Sequence, residues 1–188
     1  MDIFLTAVLV LSVHAIYKRD KILWLSVILL SLCLLIIWAD KLELLQLSNK
    51  SSDLLLCLYF SSIVYSFLQY IFSAKKVDAN LVSATLCLYL ILGLLWGTIY
   101  ALTEAYIPGS FAGELIGTTG SVAARLHYFI YFSYITLTTL GYGDILPQTK
   151  GATALCQVEA IVGQFFTAVL VARLVGIQVS QQFTDKTK

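Results

Sequence analysis

Four stretches of the chain are apolar for long enough, or nearly so, to cross a bilayer, where about 20 helical residues cover roughly 30 Å of hydrocarbon. They are Ile22 to Ala39, Leu54 to Ala74, Leu81 to Leu102, and Ala152 to about Ile177. A shorter stretch, Ile3 to Tyr17, reads as a short first span or as a helix lying at the interface. It lacks a signal peptide's pattern, because its charges (Lys18, Arg19, Asp20, Lys21) follow the apolar run. The connections Tyr17 to Lys21 and Lys75 to Asn80 are tight and basic, while Asp40 to Asp53 is mixed. Basic connections face the cytoplasm. Lys18, Arg19, Lys21, Lys75, Lys76, Arg173, Lys186 and Lys188 then lie inside, and Lys41, Lys50, Arg125 and Lys150 outside. The N-terminus is outside if Ile3 to Tyr17 spans, and inside if it does not.

The connection from Thr103 to Gly151 is far longer than the usual few residues. Its first half is rich in glycine and small residues. Its second half, Tyr128 to Leu137, is aromatic and apolar but too short to span, which fits a re-entrant segment. Directly after it comes Thr138-Thr139-Leu140-Gly141-Tyr142-Gly143-Asp144. Glycines reach positive φ without steric cost, and at alternate positions they let successive carbonyls point the same way. Non-helical backbone at membrane depth persists only where it is buried in protein or lines a watery cavity.

Composition agrees with lipid as the solvent. Hydrophobic residues make up 59% of the 188 and charged residues 12%, against about 45–50% and about 25% in soluble domains. Lys and Arg total 12 against 11 acids, a net charge of +1, so no basic surplus argues for nucleic acid. Cys33, Cys57, Cys87 and Cys156 each sit singly in apolar runs and read as small core hydrophobes. His14 and His127 are too few and too far apart for a metal site.

Thr139-Leu140-Gly141-Tyr142-Gly143-Asp144 resembles the selectivity filter of potassium channels, in which backbone carbonyls replace the water shell of the ion. The match lies after an aromatic segment and between two spans, as in that family, and covers about Leu81 to Ser180. The resemblance implies an all-α integral membrane protein, a helical bundle of outer helix, re-entrant pore helix with filter, and inner helix. Two or three extra N-terminal transmembrane helices precede this pore domain. Residues 1–80 would form those helices. Residues 81–180 would be the pore domain: outer helix 81–102, extracellular loop 103–127, pore helix 128–138, filter 139–143, inner helix 152–180. Residues 181–188 would be a short cytoplasmic tail.

By the same resemblance the carbonyls of Thr139, Leu140, Gly141 and Tyr142 would coordinate K+, with the Thr139 hydroxyl closing the innermost site and Gly143 completing the filter. Thr138 would support the filter from the end of the pore helix. Tyr131, Phe132 and Tyr134 would pack around the filter as a cuff. Many relatives carry tryptophan at the positions of Tyr131 and Phe132, one of them bonded to the acid at Asp144; Tyr131 could substitute as donor here. Leu140 replaces the more usual valine, and Ile135 stands where some bacterial members have a glutamate. Asp144 reads as a ring of surface charge concentrating cations at the mouth or as a solvated loop acid. Pro147 would end the return strand.

On the inner helix, Gly163 lies twenty residues after Gly143, the spacing of a hinge glycine in that family, and serves either bending or close packing. Gln164, Thr167 and Val171 share one face, which the alignment directs to the cavity. Val171, Val175 and Val179 continue it as a hydrophobic constriction or as packing against neighbours. Glu159, an acid in an apolar helix, is either a proton-sensitive or ion-attracting site near the cavity top or a carboxyl hydrogen-bonded behind the filter, and the second is favoured. Arg173 snorkels to headgroups.

No span carries a basic residue at every third position, so voltage sensing is not expected. Only about eleven residues follow Ile177, so no cytosolic ligand domain is expected either. The expected protein is no enzyme. It is a multi-pass channel of the plasma or inner membrane, assembled from this chain and three further copies in lipid, with no nucleic-acid partner. It takes no cofactor beyond K+ as permeant ion, and a cytosolic regulatory partner is left open. The alternatives are a nonselective cation channel of the same architecture and a non-conducting subunit or scaffold.

Overall fold

The computed structural model describes residues 49–74, 79–113, 116 and 122–186. The expected spans Ile3 to Tyr17 and Ile22 to Ala39 lie outside the described residues. Among the described residues, four helices and one short strand pair follow in order: α1 (Asn49–Ser73), α2 (Ala79–Tyr106), β1 (Phe111–Ala112), α3 (Val122–Leu137), β2 (Leu146–Pro147) and α4 (Lys150–Lys186). Among the described residues, three segments, Asp53–Ser73, Asn80–Tyr106 and Lys150–Arg173, are long and apolar enough to cross a membrane. The 16 residues of α3 reach only about 24 Å at 1.5 Å per residue, too short to cross.

Helix α1 packs along α2 through one stripe. Leu56, Tyr59, Phe60, Ile63, Val64, Phe67 and Ile71 are buried at steps of three and four, the spacing that puts side chains on one helical face. Leu81, Leu88 and Leu92 of α2 belong to the same buried cluster. Asp53 is buried near the start of α1 and faces the charge of Arg125 on α3. At Arg173 the structure departs from the snorkelling expectation: its guanidinium donates to the Phe72 carbonyl at 2.9 Å and lies 4.8 Å over the Phe72 ring. The unsatisfied carbonyls at the end of α1 are a closer destination than headgroups.

Helix α3 is held against α2 at almost backbone distance. A Cβ on Gly97 would lie 2.8 Å from the Ile130 Cα, so only a residue without one admits this approach. Above it Tyr100, Phe111, Phe129 and Phe132 form a ring cluster with centroids 5.2–5.7 Å apart, offset and edge-on as the ring quadrupoles prefer. The bend after α2 is organised by Glu104, whose carboxylate accepts from the Gly109 and Phe111 N–H groups at 2.8 and 3.0 Å. Phe111 then pairs with Pro147 and Ala112 with Leu146 in an antiparallel bridge. That bridge ties the entry to α3 to the exit from the turn that follows it.

Element ends differ from the sequence expectation. Helix α2 extends to Tyr106, α3 starts at Val122 and not at Tyr128, and α4 continues through residues 181–186. Ala123, Ala124, Arg125 and Leu126 are good helix formers, enough to begin α3 within the segment expected to be loop.

Candidate functional site

The site forms where α3 stops. Leu140 N–H donates to the Ile135 carbonyl at 2.8 Å and Thr139 N–H to the Thr136 carbonyl at 2.9 Å. That is the paired pattern of a Schellman cap, which needs its C′ residue in the left-handed region. Thr139 occupies it with φ of 59°. A β-branched residue is a real outlier there, since the left-handed conformation costs an L-residue about 1–2 kcal/mol. Gly141 (φ 55°) and Gly143 (φ 78°) follow in the same region. Positive φ at every second residue gives the chain from Thr139 to Gly143 an alternating, non-helical path.

This path lies open on one side of the single chain. Thr138 to Gly143 are all exposed, Leu140 at 56% and Tyr142 at 66%. Such a backbone presents neutral oxygen dipoles at the end of a helix whose C-terminus carries roughly half a negative charge. That combination suits a cation better than an anion.

Each flank is fastened to the scaffold. Thr138 returns its hydroxyl to the Tyr134 carbonyl at 2.7 Å. Tyr131 donates its hydroxyl to the Asp144 carboxylate at 2.7 Å, the substitute bond expected from the sequence. That hydrogen bond pushes the Tyr131 phenol up to about 12. Asp144 also accepts the Ile145 N–H at 3.1 Å. Below the turn, Gln164 of α4 donates from Nε2 to the Thr139 hydroxyl oxygen at 3.2 Å. Phe132 and Tyr134 do not surround the turn within the protomer. Phe132 is buried in the ring cluster, and Tyr134 donates to the Leu90 carbonyl of α2 at 2.7 Å.

Helix α4 starts with Thr149 as N-cap, its hydroxyl accepting the Ala152 N–H at 3.3 Å. Gly163 meets the end of α3. A Cβ there would overlap the Leu137 carbonyl oxygen and lie 3.1 Å from the Leu137 carbonyl carbon, so close packing accounts for this glycine. Thr167 turns its hydroxyl back to the Gly163 carbonyl at 3.0 Å. Val171, Val175 and Val179 are each about half exposed on the single chain, as are Val158, Ile161, Phe165 and Val169 elsewhere on α4.

Glu159 is wholly buried. Its Oε2 meets the Tyr100 hydroxyl of α2 and its Oε1 meets the Ser133 hydroxyl of α3, so one carboxyl joins three helices behind the turn. Tyr100 and Ser133 had no sequence signal beyond a hydroxyl in an apolar run, and their contacts bridge 59 and 26 positions.

With this geometry in view, two comparisons place the chain. A family model described as ion channel matches residues 84–179. The potassium channel protein kcv of Paramecium bursaria Chlorella virus 1 is 36% identical over 67 residues, covering 36% of this chain and 70% of that protein.

Proposed function

The chain belongs to the potassium channel family, and from that premise we propose that four copies of it enclose a potassium-selective pore. It is a membrane protein of a class that conducts ions and is not a class of enzymes. The observation that carries the finer reading is the exposed Thr139-to-Gly143 backbone, left-handed at alternate residues and anchored at both ends. One such strand cannot surround an ion. Closed cyclic symmetry is the usual way for identical chains to share an axis, and four strands stack rings of carbonyls that stand in for hydration.

In this reading the carbonyls of Thr139, Leu140, Gly141 and Tyr142 hold K+, and the Thr139 hydroxyl, contacted by Gln164 at 3.2 Å, closes the innermost ring. The Thr139 side chain explains why a left-handed position is not given to glycine. Strained backbone at a functional position persists when its surroundings enforce it, as the two hydrogen bonds of the α3 cap do here. Gln164, Thr167 and Val171 line the cavity, and Val171, Val175 and Val179 approach their symmetry mates as a dewetting constriction. Conduction is passive, without cofactor, across the plasma or inner membrane, and it is not driven by an intrinsic voltage sensor.

Purified protein in liposomes tests this through potassium flux combined with the mass of the cross-linked assembly. A tetramer with potassium flux that disappears in Gly143→Ala is the expected result. A monomeric or dimeric protein, or flux unchanged by that substitution, would overturn the reading.

A further inference from the structure

Glu159, Tyr100 and Ser133 are each 0% exposed. Four groups meet there: the Tyr100 hydroxyl, the Glu159 carboxyl, the Ser133 hydroxyl and the Gly93 carbonyl, which lies 2.8 Å from the Ser133 Oγ. They make three contacts in a row, from α2 through α4 and α3 back to α2. Each hydrogen bond takes one proton. The two hydroxyls bring one apiece, and the carbonyl brings none.

With an ionised Glu159 there are two protons for three contacts. Ser133 donates either to the carboxylate or to Gly93, and its remaining contact sets lone pair against lone pair. With a protonated Glu159 all three are satisfied in one direction. Tyr100 donates to Oε2, the acid proton on Oε1 is donated to Ser133, and Ser133 donates to the Gly93 carbonyl. The other titratable groups facing the carboxyl are the Cys156 thiol and the Tyr89 hydroxyl, and neither brings positive charge. Among the described residues no Lys, Arg or His pairs with Glu159. A carboxylate taken out of water without a cation is strongly disfavoured, and more so inside a membrane span.

We propose that Glu159 is an un-ionised carboxylic acid, the middle link of a neutral Tyr100–Glu159–Ser133–Gly93 clasp that positions the pore helix behind the filter. The grip has two points. Glu159 and Gly163 are four residues apart on α4, and Ser133 and Leu137, the residues they meet, are four apart on α3, so one face of each helix carries both contacts. Glu159 is a positioning residue that acts through α3 and does not touch the ion. Its consequence for selectivity rests on the channel reading above, whereas its protonation does not.

Infrared difference spectroscopy of the reconstituted full chain, wild type against Glu159→Gln, tests the protonation at neutral pH. The expected result is a carbonyl-stretch band of a protonated carboxylic acid that Glu159→Gln removes. Tyr100→Phe shifts the same band to higher frequency, because it takes away the hydrogen bond to Oε2. The functional arm compares two substitutions. Glu159→Gln reproduces the chain, its amide N–H replacing the acid O–H toward Ser133, and it keeps wild-type conductance and selectivity. Glu159→Asp keeps the acid but falls short by one methylene, and it loses potassium over sodium discrimination. Absence of the band in wild type, or conductance retained by Glu159→Asp and lost by Glu159→Gln, would overturn the clasp. Since the spectrum needs no current, a present band without potassium current would fail the channel reading alone.

Discussion

Gly163→Ala separates the two roles of this glycine, because they predict opposite signs. The added methyl runs into the Leu137 carbonyl oxygen, with the Leu137 carbonyl carbon and Cδ1 both at 3.1 Å. The obstacle is main chain at the last residue of α3, so no rotamer change relieves it. Overpacking of this kind costs about 1–3 kcal/mol, while alanine gains about 1 kcal/mol over glycine inside a helix. The net effect runs from nearly neutral to about 2 kcal/mol destabilising. The displacement is delivered to the cap formed by Ile135, Thr136, Thr139 and Leu140. Tryptophan fluorescence during thermal unfolding should therefore show a lowered or unchanged midpoint, and reversal potentials should show weakened potassium selectivity. A pure hinge predicts a raised midpoint, intact selectivity and fewer openings. That result would refute the packing argument.

Thr139→Gly should raise stability by about 1 kcal/mol, because glycine meets no steric cost at a left-handed cap, while lowering potassium current through loss of the hydroxyl; unchanged current would remove the side chain from the conduction path. Tyr131 is raised from 10.0 to about 12 by its bond to Asp144, so that bond's contribution is full below pH 10 and fades as pH rises through about 12. Asp144→Asn should return Tyr131 toward its ordinary range in an absorbance titration. Arg173→Ala should speed amide exchange in the last turn of α1, near Phe72, and destabilise the fold by about 1–2 kcal/mol for the lost charged hydrogen bond and cation–π contact. Arg173→Lys should recover only part, having no planar fork to lie over the ring.

What the sequence made legible was local or periodic. Apolar runs of spanning length marked α1, α2 and α4, and the aromatic stretch ahead of Thr139 marked the body of α3. Its first six residues were hidden, because residues 122–127 adjoin a glycine-rich segment and lack the aromatic signature. Roles that depend on what stands opposite could not be read from one strand of text. Gly163 is a packing glycine because the Leu137 carbonyl faces it, and nothing near Gly163 in sequence encodes that. Glu159 was expected to be bonded behind the filter, yet its partner Tyr100 was missed, since a tyrosine in an apolar span reads equally as an interface anchor. Arg173 fits the snorkelling pattern and was diverted by the carbonyl end of a helix 101 positions away. The Tyr131 bond to Asp144 was legible only because the relatives' pattern names a donor at that place.

The central claim concerns ion selection by the Thr139-to-Gly143 backbone, and a reversal potential measures it most directly. Protein in a planar bilayer with opposed, unequal potassium and sodium gradients should reverse near the potassium equilibrium potential, and Gly141→Ala, which places a Cβ at φ of 55°, should abolish that current. A wild-type reversal near zero millivolts, with sodium carrying current as readily as potassium, would contradict the account.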